Sequence, residues 1–342
     1  MHSSEKVGVL IINTGTTAAP RAEETRTYLR EFLSDPRVLD INPVVRWLLL
    51  NLVILRKRPK DSAHAYSQIW TDQGSPLLVI TRELMAGLKE RMPESEFAIG
   101  MRYGKPSIED GLTELIEKQV DRIILAHQFP QYSSAANGSA LELAYQLAGK
   151  PWNVPHLSAL PPFYDDPGFI ESWVAVSKPV LESFQPDHVL MSYHGLPERH
   201  VQKSDTTGGA HCLQSDDCCD RICDANKWCY RAHCFETSRL LAQRLGLSAD
   251  DYSISFQSRL GRDPWIQPPT DVVIPDLPKD GIKRLAVMCP SFTADCLETL
   301  EEIGLRAKSD FLTAGGEAFQ FIPCLNSHPT WVDALVRMLQ RI

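Results

Sequence analysis

Four short aliphatic runs govern what this chain can fold into. Val7 to Ile12, Arg122 to Ala126, His188 to Met191 and Arg284 to Met288 are rich in Val, Ile and Leu and do not alternate with polar residues. Strands that read this way are buried on both faces, which requires a parallel sheet covered by helices. Each run ends in a polar, Gly or Pro loop. Amphipathic helical patterns lie between them, at Glu83 to Arg91, Ile108 to Lys118, Ala140 to Leu147, Phe235 to Leu245 and Trp331 to Ile342. The alternation predicts an α/β fold with doubly wound parallel sheets. DRIILAHQFP and KRLAVMCPSF, which contain the second and fourth runs, continue alike into a loop and a helix, so the chain reads as two related halves. The Pro-rich stretch from Pro161 to Gly168 is the expected boundary, giving halves 1–164 and 165–328, with a helix over 329–342 expected to pack back on the first.

Of the 342 residues, 43% are hydrophobic and 23% charged, enough apolar material for two cores, so disorder of the whole chain is excluded. Lys and Arg number 35 against 43 Asp and Glu, a net charge of -8, which excludes nucleic-acid binding through overall charge. Any anion must meet a local patch. Met1 to Lys6 runs into the first apolar stretch without an export signal, and Trp47 to Leu55 is too short for the roughly 20 residues of a spanning helix. The expectation is a cytoplasmic protein.

In open α/β sheets ligands gather beyond the carboxyl ends of the strands. His194, in MSYHGLPERH, follows a buried run there; an imidazole at such a place accepts a proton, binds a metal, or only satisfies loop backbone groups. In SFTADCLETLEEI, a helix beginning near Thr293 or Ala294 would stack Asp295, Glu298 and Glu302 along one face, with Glu301 beside them. That row is either a solvated acidic face or a series of oxygen sites for protons or a hydrated divalent cation. Arg102, Tyr103, Phe129, Tyr132, Trp265 and Phe292 lie in turn-rich segments or just past strands, where they either line a slot for a planar apolar ligand or complete local packing. Residues 43–60, PVVRWLLLNLVILRKRPK, are apolar almost all round and then cationic at Arg56, Lys57, Arg58 and Lys60. This is either a buried hairpin helix or an apolar lip suited to a membrane surface or an amphiphilic anion.

Six of nine cysteines fall in one insert, at Cys212, Cys218, Cys219, Cys223, Cys229 and Cys234, without a CxxC pair. Four thiolates would satisfy an iron-sulfur cluster; structural zinc and plain buried thiols are the alternatives. Adjacent Cys218 and Cys219 are expected to point apart, so that only one of them serves as a ligand.

The segments VGVLIINTG, YLREFLSDPRVLD, AYSQIWTDQGSPLL, MRYGKPSI, QFPQYSSAANGSALE, SYHGLP, SFQSRLGRDPWIQPPTD, CPSFTADCLETLEEI and IPCLNSH, taken together, resemble the ferrochelatases from about residue 6 to the C-terminus. The resemblance implies two Rossmann-like halves with a porphyrin cleft between them, and insertion of ferrous iron into protoporphyrin IX to make haem. It places the essential histidine on His194 and the active-site glutamate on Glu298, both facing the metal, with Asp295 and Glu302 on an acidic path. It puts Arg102, Tyr103, Trp265 and Phe292 around the porphyrin, and Phe129, placed just past a strand, is expected to join them. Cys296 stands where some members carry a second histidine, and Thr14 where others have Met or Leu. The insert, 205–234, resembles that of bacterial members, some of which hold a 2Fe-2S cluster. Candidate ligands here are Cys212, Cys218, Cys219, Cys229 and Cys234, with Cys223 in the part least like its relatives. The implied partners are porphyrin and iron, with peripheral contact at the inner membrane face through residues 45–58. A coproporphyrin ferrochelatase, a cobalt or nickel tetrapyrrole chelatase, and a non-catalytic haem or iron-sulfur protein are the competing readings.

Overall fold

A computed structural model describes residues 5–261 and 263–342. Met1–Ser4, part of the N-terminal reading above, and Arg262 of the SFQSRLGR segment lie outside the described residues. The chain divides into two compact units. One comprises the described residues up to Gln128, then Ser134–Pro161 and Leu335–Ile342; the other comprises Phe129–Ser133 and Pro162–Ala334.

The first unit holds strands β1 (Val7–Gly15), β2 (Glu96–Tyr103), β3 (Arg122–His127) and β4 (His156–Ala159), all parallel, in the order β2-β1-β3-β4. Val9 to Ile12 are fully buried because β1 has a strand on either side and helices on both faces. Helix Ile108–Glu117 starts at a reciprocal cap between Ser107 and Asp110. It lies so close to the sheet that a Cβ on Gly111 would sit 2.7 Å from the Ile99 carbonyl oxygen.

The second unit repeats the plan. Strands β5 (His188–His194), β6 (Tyr252–Gln257), β7 (Arg284–Met288) and β8 (Ala318–Phe321) are parallel in the order β6-β5-β7-β8. The four aliphatic runs of the sequence are the two inner strands of each sheet, and DRIILAHQFP and KRLAVMCPSF begin on β3 and β7, which hold equivalent places.

Residues 43–69 of the first unit are continuously helical, as Pro43–Leu48 (α), Leu49–Ile54 (π) and Leu55–Ile69 (α). Asn42 starts the segment by accepting hydrogen bonds from the Val44 and Val45 amides, with Pro43 in the first helical position. Leu50 and Leu55 are buried against Leu29 and Leu33. Val44, Val45, Trp47, Leu48, Leu49, Leu52 and Val53 face outward, Val44 at 67% and Trp47 at 60% exposure. Of the two expectations for this segment, the structure has the lip and not the buried hairpin. Among the described residues no helix is long and apolar enough to cross a membrane.

Candidate active site and thiol row

In the second unit the site is assembled at the carboxyl ends of β5, β6 and β7. His194 is the last residue of β5, and its amide donates to Ser291 Oγ (3.1 Å) just past β7. Its Nδ1 lies 2.7 Å from the Gly195 carbonyl oxygen. A carbonyl only accepts, so Nδ1 carries a proton, and Nε2 is the ring nitrogen left to accept one in the neutral tautomer. The ring of Phe292 lies 6.2 Å away, centroid to centroid. Gly195 in turn donates to the Gln257 carbonyl (2.8 Å) and backs onto the Trp265 ring, which a Cβ at Gly195 would approach to 3.1 Å. The Trp265 segment is paired to this turn through Ile266 N to Leu196 O and Glu198 N to Pro264 O, both 3.0 Å.

The acidic residues are divided differently from the expected row. The helix starts at Glu298, not near Thr293, and is π-type over Glu298–Ala307. Its i→i+5 bonding takes more than four residues per turn, which stacks Glu302 nearly over Glu298. Glu302 accepts from both the amide (2.8 Å) and the hydroxyl (2.6 Å) of Ser258. Burial raises its pKa, opposed by those two bonds and by His194 nearby. Glu298 is held by its backbone, whose carbonyl accepts from Gln257 Nε2 (2.7 Å), and its carboxylate is hydrogen-bonded to the buried Cys296 thiol. Asp295 lies ahead of the helix. It is buried and accepts from Asn326 Nδ2 (2.7 Å), Thr299 Oγ1 (2.9 Å) and the Cys324 amide (3.3 Å). Its oxygens are thereby committed to tying Cys324–Asn326 to the start of the helix.

Arg102 and Tyr103, at the end of β2 in the first unit, converge on buried Asp35. Arg102 Nη2 (2.6 Å), Tyr103 Oη (2.9 Å) and Ser139 Oγ (2.5 Å) all donate to Asp35 Oδ2. Burial alone would raise the Asp35 pKa, but the Ser139 hydroxyl, the Arg37 amide, the Tyr103 hydroxyl and the Arg102 charge outweigh it and hold it below the usual range. Tyr103 is itself fully buried, so its role is to frame Arg102, whose guanidinium lies 4.5 Å over its ring. Phe129 is buried in the 129–133 loop of the second unit, and Tyr132 of that loop packs edge-on against Trp228 at 5.0 Å.

In the insert, Cys212, Cys218, Cys219 and Cys229 are buried and free of disulfides. They form a row. The sulfurs of Cys218 and Cys219 are 3.7 Å apart, and the Cys229 thiol is near enough to Cys219, and Cys212 to Cys229, to shift their pKa values. The expectation that adjacent Cys218 and Cys219 point apart is therefore corrected, because the chain turns sharply there and brings both sulfurs to one side. Burial raises the pKa of Cys218, the neighbouring Cys229 thiol together with burial raises that of Cys219, and Cys212 together with burial pushes Cys229 up to about 12. Cys234 is buried beside Tyr230 and close enough to Cys229 and Cys219 to feel their charge, and Cys223 lies 3.8 Å from His211 Nε2. Asp205 organises the approach, accepting from the amides of Thr207 (2.8 Å), His211 (2.9 Å) and Cys212 (2.8 Å). Among the described residues no group of three or more His, Cys, Asp or Glu is drawn together closely enough to hold a metal ion.

Gln257, Ser258, Ser291 and Asp35, which hold the functional side chains in place, were not singled out in the sequence. Their only signal there is position, as polar residues at or just beyond the ends of strands and helices.

Known proteins resemble the chain at two levels. The solved chain described as SirB from Bacillus subtilis with Fe3+ superposes with a TM-score of 0.54 at 12% identity, covering 98% of this chain and 95% of that one. The cobalt complex of the sirohydrochlorin chelatase SirB from Bacillus subtilis subspecies spizizenii gives 0.51 at 10%, covering 98% and 94%. At such identities the likeness shows the fold alone. In sequence, the chain is 46% identical to the ferrochelatase of Coxiella burnetii (strain CbuK_Q154) over 342 residues, all of this chain and 95% of the relative. It is 45% identical to that of Ectopseudomonas mendocina (strain ymp) over 334 residues, 97% of each. The ferrochelatase family model matches residues 6–341, and with nearly the whole length accounted for in this way the chain belongs to the ferrochelatase family.

Proposed function

We propose that the family's reaction, insertion of ferrous iron into a porphyrin to make haem, depends in this chain on His194 as the acceptor of pyrrole protons. The observation that carries this is the Nδ1 bond to the Gly195 carbonyl, which makes Nε2, beside the Phe292 ring, the nitrogen available to accept a proton. Two pyrrole N-H protons must leave as the metal sheds water, so a fixed neutral imidazole is the group the reaction needs. Glu298 and Glu302, stacked on the π-helix, take protons or pass the cation onward. Asp295 supports them from beneath. Trp265 and Phe292 supply flat apolar walls, and Arg102, framed by Tyr103 and Asp35, meets a porphyrin carboxylate. The substrate is the dicarboxylate protoporphyrin IX. A continuous metallation assay tests this with ferrous iron, cobalt and nickel against protoporphyrin and coproporphyrin. Iron with protoporphyrin should turn over fastest; a preference for coproporphyrin or for cobalt would reject the substrate assignment.

The insert thiols are the donors on which we rest the reading of a 2Fe-2S cluster. Such a cluster takes two thiolates on each of two irons, and four buried, disulfide-free thiols are the donor type it needs, although they would have to be drawn closer together to hold it. Cys212, Cys218, Cys219 and Cys229 would be its ligands, and when bound it would supply a one-electron redox centre that also cross-links the insert. Anaerobically purified protein should be reddish-brown with about two irons and two sulfides per chain. Colourless protein with one zinc would overturn this.

The lip of residues 44–53, with exposed Arg56, Lys57 and Lys60 following it, fits peripheral contact with an anionic membrane surface from the cytoplasmic side. Each cation near such a surface contributes about 1 kcal/mol, so replacing all three by Gln should weaken binding to anionic vesicles about 100-fold. Equal sedimentation of the triple variant and the parent with those vesicles would reject the contact.

A further inference from the structure

His233 is buried in the first turn of helix Tyr230–Leu245, and both of its ring nitrogens are used. Nδ1 accepts from the Tyr132 amide (3.1 Å), so Nε2 carries the proton and donates it to the Lys227 carbonyl (2.9 Å). The Tyr164 ring stacks on the imidazole at 3.8 Å and fixes its plane. One side chain thus joins two segments far apart in sequence, the end of the cysteine insert and the 129–133 loop.

The insert side of this joint is built around Asn226, which is fully buried. Its Oδ1 accepts from the Cys223 amide (2.7 Å), and its Nδ2 donates to the carbonyls of Cys218 (3.0 Å) and Arg221 (2.9 Å). Its own carbonyl accepts from the Cys229 amide (2.8 Å), so Lys227 between them sits where the insert places it. The other side leads to the site. Gln131, also buried, donates through Nε2 to Thr237 Oγ1 (3.1 Å) on the same helix and to the Pro290 carbonyl (3.4 Å). Pro290 and Ser291 are the middle of a turn closed by the Phe292 amide on the Cys289 carbonyl (3.0 Å), and Ser291 Oγ receives the His194 amide (3.1 Å).

We propose that His233 is a positioning residue for iron insertion, coupling the fold of the insert through the 129–133 loop and the Pro290–Phe292 turn to His194 and the Phe292 wall. The inference rests on the reading of His194 as the base. It needs no metal in the insert, because hydrogen bonds and packing carry every link. A contiguous run of bonds gives a route for coupling, and non-additive mutant effects measure the coupling itself.

The test is a double-mutant cycle on the full chain in the continuous metallation assay, with folding checked by circular dichroism. Asn226→Ala loosens the insert. His233→Gln keeps an amide that reaches the Lys227 carbonyl but puts no acceptor in the place of Nδ1, so the loop is released. We expect kcat to fall about threefold in the first and about tenfold in the second, with the porphyrin KM little changed. The double variant should fall no further than His233→Gln, where independent sites would multiply to about thirtyfold. His233→Asn, whose Oδ1 replaces Nδ1 and keeps the Tyr132 bond, should recover part of the rate, and adding Asn226→Ala to it should change little. Should Asn226→Ala fail to fold, Asn226→Asp, which keeps the Cys223 bond and loses the two donated ones, takes its place with the same expected pattern. Losses that multiply, or parental kcat in folded His233→Gln protein, would overturn the proposal. Either result would leave the reading of His194 standing, since His194→Ala is measured on its own.

Discussion

His194→Ala is expected to lower kcat for iron insertion by about 10²- to 10⁴-fold, the usual range for loss of a general base, while the porphyrin KM changes little. The separation follows from the geometry. The imidazole presents Nε2 for a proton because Nδ1 is tied to the Gly195 carbonyl, whereas the apolar walls at Trp265 and Phe292 are held by other contacts. Removing the ring should therefore leave binding intact and take away the destination of the pyrrole protons. Steady-state kinetics, with porphyrin binding measured by fluorescence quenching, distinguishes the two. Turnover close to that of the parent would reject the role given to His194.

The second large effect is expected at a residue with no chemistry of its own. A Cβ at Gly195 would lie 2.8 Å from the Gln257 carbonyl oxygen and 3.1 Å from the Trp265 ring. Backbone and indole are both packed there, so the turn must move to admit it. The Gly195 carbonyl is the group that orients His194, and Gln257 also holds the Glu298 backbone. Gly195→Ala should thus displace base and acid together, and misplacement of about 1 Å at a reacting centre costs about 100-fold in rate. The expected result is a folded protein with kcat reduced to that extent. Parental kcat in folded Gly195→Ala protein would mean that the turn has slack and His194 does not depend on it.

The contrast between these two sites shows what a sequence makes legible. β1, β3, β5 and β7 could be read because each has a strand on both sides and must be aliphatic throughout. β4 and β8 are four-residue strands at the sheet edges, only partly buried, and their sequences HLSA and AFQF say little. Tyr252–Gln257 alternates instead of running aliphatic, and no strand was expected there. The residues proposed to act through their own side chains, His194 and Glu298, stand out by type and place. Those that hold them do not. Gln257 works through its own carbonyl, which accepts from Gly195, and through its side-chain amide, which donates to the Glu298 carbonyl, and Ser258 aims its amide and hydroxyl together at Glu302 from a left-handed φ of 65°. Asp295 misled for a related reason. Its spacing suits an α-helical face, but Asn326 and Cys324, about 30 residues on, draw it out of the helix altogether.

The π-helical stretch Leu49–Ile54 acts as a phase adjuster between two stretches of ordinary helix. Each residue of an α-helix turns the next by about 100°. The wider winding across this stretch changes the angle at which Arg56 to Lys60 leave the apolar segment, while Leu50 and Leu55 stay rooted on Leu29 and Leu33. The bearing of the cations relative to Val44, Trp47 and Leu48 is thus set by chain count and not by any side chain. Deleting one residue within 49–54 would preserve composition, charge and hydropathy almost unchanged. It would nonetheless swing the basic turn by about a quarter of a revolution against the apolar one, so that the lip and its cations no longer address the same surface.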